Sequence, residues 1–338
     1  MVNNLNVSLS NLKPDVSVII ISFNTLDYLK RSIASVALGF QRHTFEIIVV
    51  DNGSTDGSLE YLRSEPFIRL IENQENRGFP VANNQAMEIA VGQHYFLLNS
   101  DAFLHESCGD LMLDFLLTHP RVGLVVSTFE FLHGGWQQSF GDFPTLYRGV
   151  QKLLGRDILE TAWYNLMHRW GRNILRPQRV DYGEGAGLLI RGQVKQDIGG
   201  LSADYFFYGD DVDYALRASK ANWGTWWLPQ AHLTHVRGGS LRMKDYEAAL
   251  KKQYKYFMRF WVSNYSPRSV RVGYILKCLY WQRMVWGARF LAWLPVIGNR
   301  VQTRLQKYQI ARDMHWQNLP KDRYDQLIQS VKADQTTV

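Results

Sequence analysis

"VSVIIIS", residues 16–22, is an almost unbroken β-branched run that leads into the polar Ser22 and Asn24. A strand wetted on one face alternates apolar and polar residues. This one does not, so it reads as a strand covered on both faces, the pattern of a parallel sheet sandwiched between helices. Working outward, "TLDYLKRSIASVAL" (25–38) places Leu26, Leu29, Ile33 and Val36 at helical spacing. "FEIIVVDNGSTDGS" (45–58) opens with a second buried strand and "IRLIEN" (68–73) is a third. "LEYLRSE" (59–65) and "PVANNQAMEIAV" (80–91) are helical, and "HYFLLNSDAFL" (94–104) reads as a fourth strand. Strand and helix in alternation predict an open, mostly parallel α/β sheet flanked by helices. Residues 130–180, rich in aromatics, Arg and Gly, are expected to be partly helical and to lie over the sheet's active edge.

Composition narrows the possibilities. The chain has 338 residues, 46% hydrophobic and 20% charged, with no solenoid repeat or low-complexity tract. Cys108 and Cys278 stand alone, without the spacing of a disulfide framework or zinc finger. The N-terminal residues lack an apolar core of the signal-peptide kind, which makes the cytoplasm the expected compartment. Charge is uneven. Between Ala248 and Arg312 there are thirteen Lys or Arg and no Asp or Glu, so from a net +7 the remainder carries −6.

Polar residues gather where the strands end: Ser22 and Asn24, Asp51, Asn76 and Arg77, then Asn99, Ser100 and Asp101. That edge binds ligands in open α/β sheets. Asp51 is suited to accept from a base N–H or ribose hydroxyls, while Asp56 is read as a helix cap. Asp101 is either a ligand to a hard divalent cation or the head of an Asx-turn. His235, just before Arg237–Ser240, is placed to complete a metal site or to touch phosphate; His232 is read as structural. In "YFFYGDDVDYALR" (205–217), Asp210 suits an N-cap and Asp213 pairs with Arg217 at i, i+4, with Val212 and Leu216 toward the core. Asp211 is left without a structural task, which makes it a candidate general base. No Walker A loop and no G-x-G-x-x-G after a strand are present.

In order, "VSVIIISFN", "IIVVDNGSTDGS", "ENRGFPVANNQA", "LLNSD", "GEGAGLLIRGQVKQDIGG", "FFYGDDVDYALR" and "HLTHVRGGS" resemble the family 2 glycosyltransferases, particularly their rhamnosyltransferase-like branch. The resemblance covers roughly residues 15–240. It implies a GT-A fold with a nucleotide-sugar half at 15–130 and an acceptor half at 131–240, preceded by a tail (1–14) and followed by a helical basic region (241–338). It also implies that Asp51 holds base or ribose, with Ser22, Asn24, Asn76, Arg77, Gly78, Asn99 and Ser100 nearby. Asp101, assisted by His235, would hold Mg²⁺ or Mn²⁺ on the donor's diphosphate. Asp211 would be the base of a single inverting displacement, supported by Asp210 and Asp213. Asn99 stands where the family's metal motif has a carboxylate, and Asp210 where Glu is frequent. The donor expected from the branch is dTDP-L-rhamnose, with a UDP-sugar as the alternative, and the acceptor a surface polysaccharide or lipid-linked glycan. A non-catalytic scaffold would be expected to have lost these carboxylates, and a nucleotidyltransferase would carry a Gly-rich, Arg-containing loop after its first strand.

The segment 248–312 mixes Trp, Tyr, Phe and Leu with Lys and Arg, too interrupted for a membrane span of about 20 residues. Basic aromatic helices of this kind are expected in the plane of an anionic membrane, which would make the protein peripheral at the inner face. Packing on the catalytic domain or on a second copy, as a homo-oligomer, is the alternative. Nucleic acid is set aside because no recognition fold accompanies the charge.

Overall fold

The computed structural model describes residues 13–170, 175–236, 246–293 and 298–333. In chain order the elements run β1 (Val16–Ser22), α1 (Leu26–Gly39), β2 (Phe45–Asp51), α2 (Ser58–Arg63), β3 (Ile68–Glu72), α3 (Phe79–Ile89), β4 (His94–Asn99) and β5 (Ala102–Leu104). Then come α4 (Cys108–Thr118), β6 (Val122–Glu130), β7 (Trp136–Gln137), β8 (Phe140–Gly141), α5 (Leu146–Leu153), α6 (Arg156–Trp170), β9 (Gln178–Val180) and β10 (Tyr182–Gly183). The chain continues with β11 (Gly187–Arg191), α7 (Gly192–Ile198), α8 (Asp210–Lys220), β12 (Gly224–His235), α9 (Tyr246–Asn264), α10 (Pro267–Trp293), α11 (Gly298–Gln317) and α12 (Lys321–Ala333).

The residues form two compact units. One comprises the described parts of Met1–Phe143 and Tyr164–Arg242; the other comprises those of Pro144–Trp163 and Met243–Val338. The first is built on a sheet ordered β3-β2-β1-β4-β11-β6-β12-β5, with β7 on β6 and β9 on β12. β3, β2, β1, β4, β6 and β12 run in one direction, and β11, β5, β7 and β9 run against them. The sheet is therefore mixed and mostly parallel. β1 lies between β2 and β4 with Val16, Val18, Ile19 and Ile20 fully buried, which accounts for the lack of alternation in its sequence.

"HYFLLNSDAFL" is two strands rather than one. The chain turns at Ser100 and Asp101, and β5 crosses to the far end of the sheet to pair antiparallel with Leu233–His235 of β12. Both halves are apolar, so nothing in the pattern marks the break. The crossing brings Asp101 beside the end of β12, where Val236 N–H donates to the Asp101 carbonyl at 3.0 Å.

The second unit is helical: α5 with α9–α12. Tyr274 ties it together, accepting from the Tyr254 hydroxyl at 2.8 Å and donating to the His315 carbonyl at 2.7 Å. No helix among the described residues is long and apolar enough to cross a membrane.

Candidate active site

Ser22 and Asp51 end neighbouring parallel strands in register, and both are fully buried. Asp51 Oδ2 accepts the backbone N–H groups of Gly53 (3.1 Å) and Ser54 (2.9 Å), which folds the β2–α2 turn. Its Oδ1 and the Ser22 hydroxyl have no hydrogen-bond partner among the described residues. Buried polar atoms are nearly always satisfied, so two open acceptors side by side at a strand end are unusual. Asn24, at φ 54°, accepts Thr55 N–H through its side chain at 2.8 Å and joins the two loops. Asp56 is a cap, as expected, and serves two helices: it accepts Ser58 N–H (3.1 Å) and Leu26 N–H (2.9 Å). Asn76 Oδ1 accepts Gly78 N–H at 3.0 Å and Asn52 Nδ2 at 3.3 Å, while Arg77 is exposed.

At the next strand end, the Ser100 hydroxyl accepts from Thr25 Oγ1 at 2.9 Å, and Asn99 N–H donates to the Ala186 carbonyl at 3.2 Å. Asp101 Oδ1 faces His235 Nε2 at 3.5 Å, both largely buried. Gln137 on β7 fixes the histidine. Its Nε2 donates to the His235 carbonyl at 3.2 Å, which leaves its Oε1 to accept from His235 Nδ1 at 2.8 Å. The network assigns a proton to Nδ1, and in the neutral ring the Nε2 lone pair then faces Asp101. Phe129 packs edge-on to the ring at 5.5 Å. Two ligands of an octahedral cation at about 2.1 Å lie roughly 3 Å apart, so the pair fits a divalent ion with its other positions left to phosphate and water. No group of three or more ligating side chains exists among the described residues. His232 is structural, bound to Glu130 at 2.6 Å. Arg237–Ser240 lie outside the described residues.

The acidic stretch begins one residue earlier than its sequence suggests. Gly209, at φ 90°, is the N-cap of α8, so Asp210 is the first helical residue rather than the cap. Tyr208 also has positive φ, 73°, and two such residues in succession turn the chain sharply into the helix. The buried face of α8 is then Asp210, Tyr214, Ala215 and Ala218, with Val212 and Leu216 only partly covered, contrary to the simple periodic reading. Asp213 binds Arg217 at 2.7 Å as its spacing predicts. The preceding loop is docked on α3: Phe79 N–H donates to the Phe206 carbonyl at 2.9 Å, and Phe79 packs against Phe207.

Asp210, buried, and Asp211, half-buried, are neighbouring carboxylates that raise each other's proton affinity. Burial pushes Asp210 up to about 7, with Asp213 adding to the rise. Burial likewise raises Asp211 well above the usual carboxylate range, reinforced by Asp210 and by Glu184, against the Val212 and Gly185 N–H groups. Glu184 and Gln137 were not singled out from sequence. Glu184 lies inside "GEGAG" before β11, and Gln137 inside an aromatic stretch; only pairing across the sheet gives either a neighbour in the site. Glu184 N–H donates to the Ser139 carbonyl at 2.8 Å, two residues from Gln137. Gly185 and Ala186 lie between Asp211 and Asn99. The carboxylate pair and the Asp101–His235 pair therefore occupy one edge of the sheet.

Residues 17–181 match the family described as glycosyl transferase family 2. The chain carries a family 2 glycosyltransferase domain. The glycosyltransferase is 27% identical over 236 residues to N-acetylglucosaminyl-diphospho-decaprenol L-rhamnosyltransferase of Mycobacterium tuberculosis strain H37Rv, covering 66% of this chain and 76% of that protein. It is 34% identical over 105 residues to chondroitin synthase of Escherichia coli, 30% of this chain and 15% of the synthase. In structure it resembles the mannosyltransferase PcManGT from Pyrobaculum calidifontis, solved with GDP-Man and Mn²⁺, at TM-score 0.55 and 16% identity over 92% of this chain and 88% of the other. GalNAc-T7, solved with UDP, GalNAc and Mn²⁺, matches at TM-score 0.52 and 13% identity over 75% and 51%. The glycosyltransferase has the GT-A fold of these structures.

Proposed function

We propose that the protein is a metal-dependent, inverting glycosyltransferase that moves L-rhamnose from dTDP-rhamnose to a hydroxyl of a lipid-linked glycan or growing surface polysaccharide. The observation that carries the reading is the single sheet edge holding both the Asp210–Asp211 carboxylates and the Asp101–His235 pair. The similarity to a rhamnosyltransferase supports the choice of sugar. Ser22 Oγ and Asp51 Oδ1, lacking partners among the described residues, are assigned to the donor's nucleoside. Asn24, Asn76, Gly78 and Ser100 shape the loops around them.

Asp101 and His235 Nε2 would hold Mg²⁺ or Mn²⁺, which when bound neutralises charge on the leaving diphosphate. Asp211 takes the acceptor hydroxyl's proton as that oxygen bonds to the anomeric carbon. The anomeric carbon–diphosphate bond breaks on the opposite side, so configuration inverts and no covalent enzyme intermediate forms. Asp210 and Glu184 strengthen the base by their like charge. Acceptors carried on lipid are met at an anionic membrane surface by the basic helices of the second unit.

A UDP-sugar is the second reading, favoured by the UDP held in GalNAc-T7. Incubating the protein with Mn²⁺ and dTDP-rhamnose or UDP-sugars, and measuring nucleoside diphosphate release with a lipid-diphosphate glycan acceptor, tests both. Release from dTDP-rhamnose alone, giving product of inverted configuration, is expected. Release only from a UDP-sugar changes the donor, and release from none returns the chain to the non-catalytic scaffold reading.

A further inference from the structure

α10 carries two apolar faces. One side packs inward through Val270, Tyr274, Cys278, Val285 and Ala288. The other carries Ile275, Leu279, Trp286, Phe290 and Trp293 at helical spacing about a third of a turn away, with Trp286 and Phe290 64% and Trp293 80% exposed. Each apolar face of a helix calls for a non-aqueous neighbour, and the outward one has none in this unit among the described residues. Large aromatics in open water are unusual enough to mark an interaction surface.

The stripe extends beyond α10. Asp157, in the first turn of α6, accepts from Arg283 at 2.8 Å and from the Tyr280 hydroxyl at 3.1 Å, which pins the α5–α6 corner to the middle of α10. At that corner Leu154 is 81% exposed, and Ile158 and Leu159 are also open to solvent. Arg268 and Arg289 stand exposed on α10 itself. In sequence, the segment 248–312 that contains the stripe carries thirteen basic and no acidic residues.

We propose that this outward face of α10, continued by the α5–α6 corner, lies in the plane of an anionic lipid bilayer. The inference deepens the membrane reading above and rests on it. Charge selects the occupant. Pairing of two copies through the same patch would set each +13 segment against its twin, whereas phosphate headgroups complement it. Indole and phenyl rings between Arg side chains suit the boundary of acyl chains and headgroups. Since no described helix is apolar enough to span a membrane, α10, 27 residues or about 40 Å long, lies flat.

Flotation of the full-length protein with vesicles of phosphatidylcholine alone, or with about 30 mol% phosphatidylglycerol, tests the face. Wild type is expected to float with the anionic vesicles. The combined variant Trp286→Ala, Phe290→Ala and Trp293→Ala should lose at least about tenfold in partitioning at unchanged melting temperature. Leu111→Ala with Leu117→Ala, exposed on the other unit, should behave as wild type. Brominated lipid should quench wild-type tryptophan fluorescence and quench it less in Trp286→Phe with Trp293→Phe, a readout that needs no large truncation. Equal flotation and equal quenching in the variants overturn this face while leaving membrane binding intact. No wild-type flotation on either vesicle overturns the membrane reading as well, and nucleoside diphosphate release still judges the transferase reading separately. A sedimentation shift from dimer to monomer in the triple variant, with flotation unchanged, gives the face to a second copy and overturns the proposal.

Discussion

Asp211 differs from its neighbours by what remains for it to do. Asp213 is committed to Arg217 and Asp210 faces the core, so Asp211→Asn should lower kcat by at least about a thousandfold while donor affinity, measured by calorimetry, stays within a few-fold. The charge around it sets the pH dependence. Burial, Asp210 and Glu184 all raise the proton affinity of Asp211, and a base with raised pKa is lost as pH falls. With Asp210 held up to about 7, the pair should give kcat an acid limb near neutrality. Glu184→Gln removes one negative neighbour and should move that limb to lower pH in a pH–rate profile; an unmoved limb would detach Glu184 from the base. Gln137 acts on His235 without reaching substrate itself. Gln137→Leu frees Nδ1 to exchange its proton with Nε2, and should weaken Mn²⁺ binding by about tenfold in titrations followed by electron paramagnetic resonance. High Mn²⁺ should restore activity, which a general packing defect would not allow.

Single positions in the loops decide how whole elements meet. Gly78, at φ 81°, lies where an added Cβ would come within 2.6 Å of the Phe206 carbonyl oxygen. Gly78→Ala therefore strains the backbone and pushes the 205–209 loop off α3, at a cost of about 1–3 kcal/mol. Denaturant unfolding should register that loss, and kcat should fall further than KM changes, because the loop leads into Asp210 and Asp211. Helices and strands were legible wherever a single covered face imposes its period, as in β1 and α1. The β4–β5 break was not, because apolar residues on both sides of Ser100–Asp101 serve different strands, one in the middle of the sheet and one at its edge. Likewise the start of α8 depends on Gly209 adopting positive φ, which the three aspartates after it do not reveal.

Across the molecule, the proposed donor and metal would be linked to the fold through the first unit. Ser22 and Asp51 lie on β1 and β2, Asp101 follows β4, and His235 ends β12, so one bound donor–metal complex would brace four strands. Mn²⁺ with dTDP-rhamnose should raise the melting temperature in proportion to the logarithm of ligand concentration, and a chelator should remove most of that rise. Stabilisation that survives chelation would separate donor binding from the metal. The sequence by itself determined the α/β class, the family resemblance, the candidate aspartates Asp51, Asp101 and Asp211 and the uneven charge, because strand burial, strand-end polarity and composition are local properties. Tertiary structure alone decided that Gln137 sets the His235 tautomer, that Glu184 faces Asp211, and that α10 keeps an apolar face outward. Each depends on which distant segments become neighbours, and no local pattern carries that.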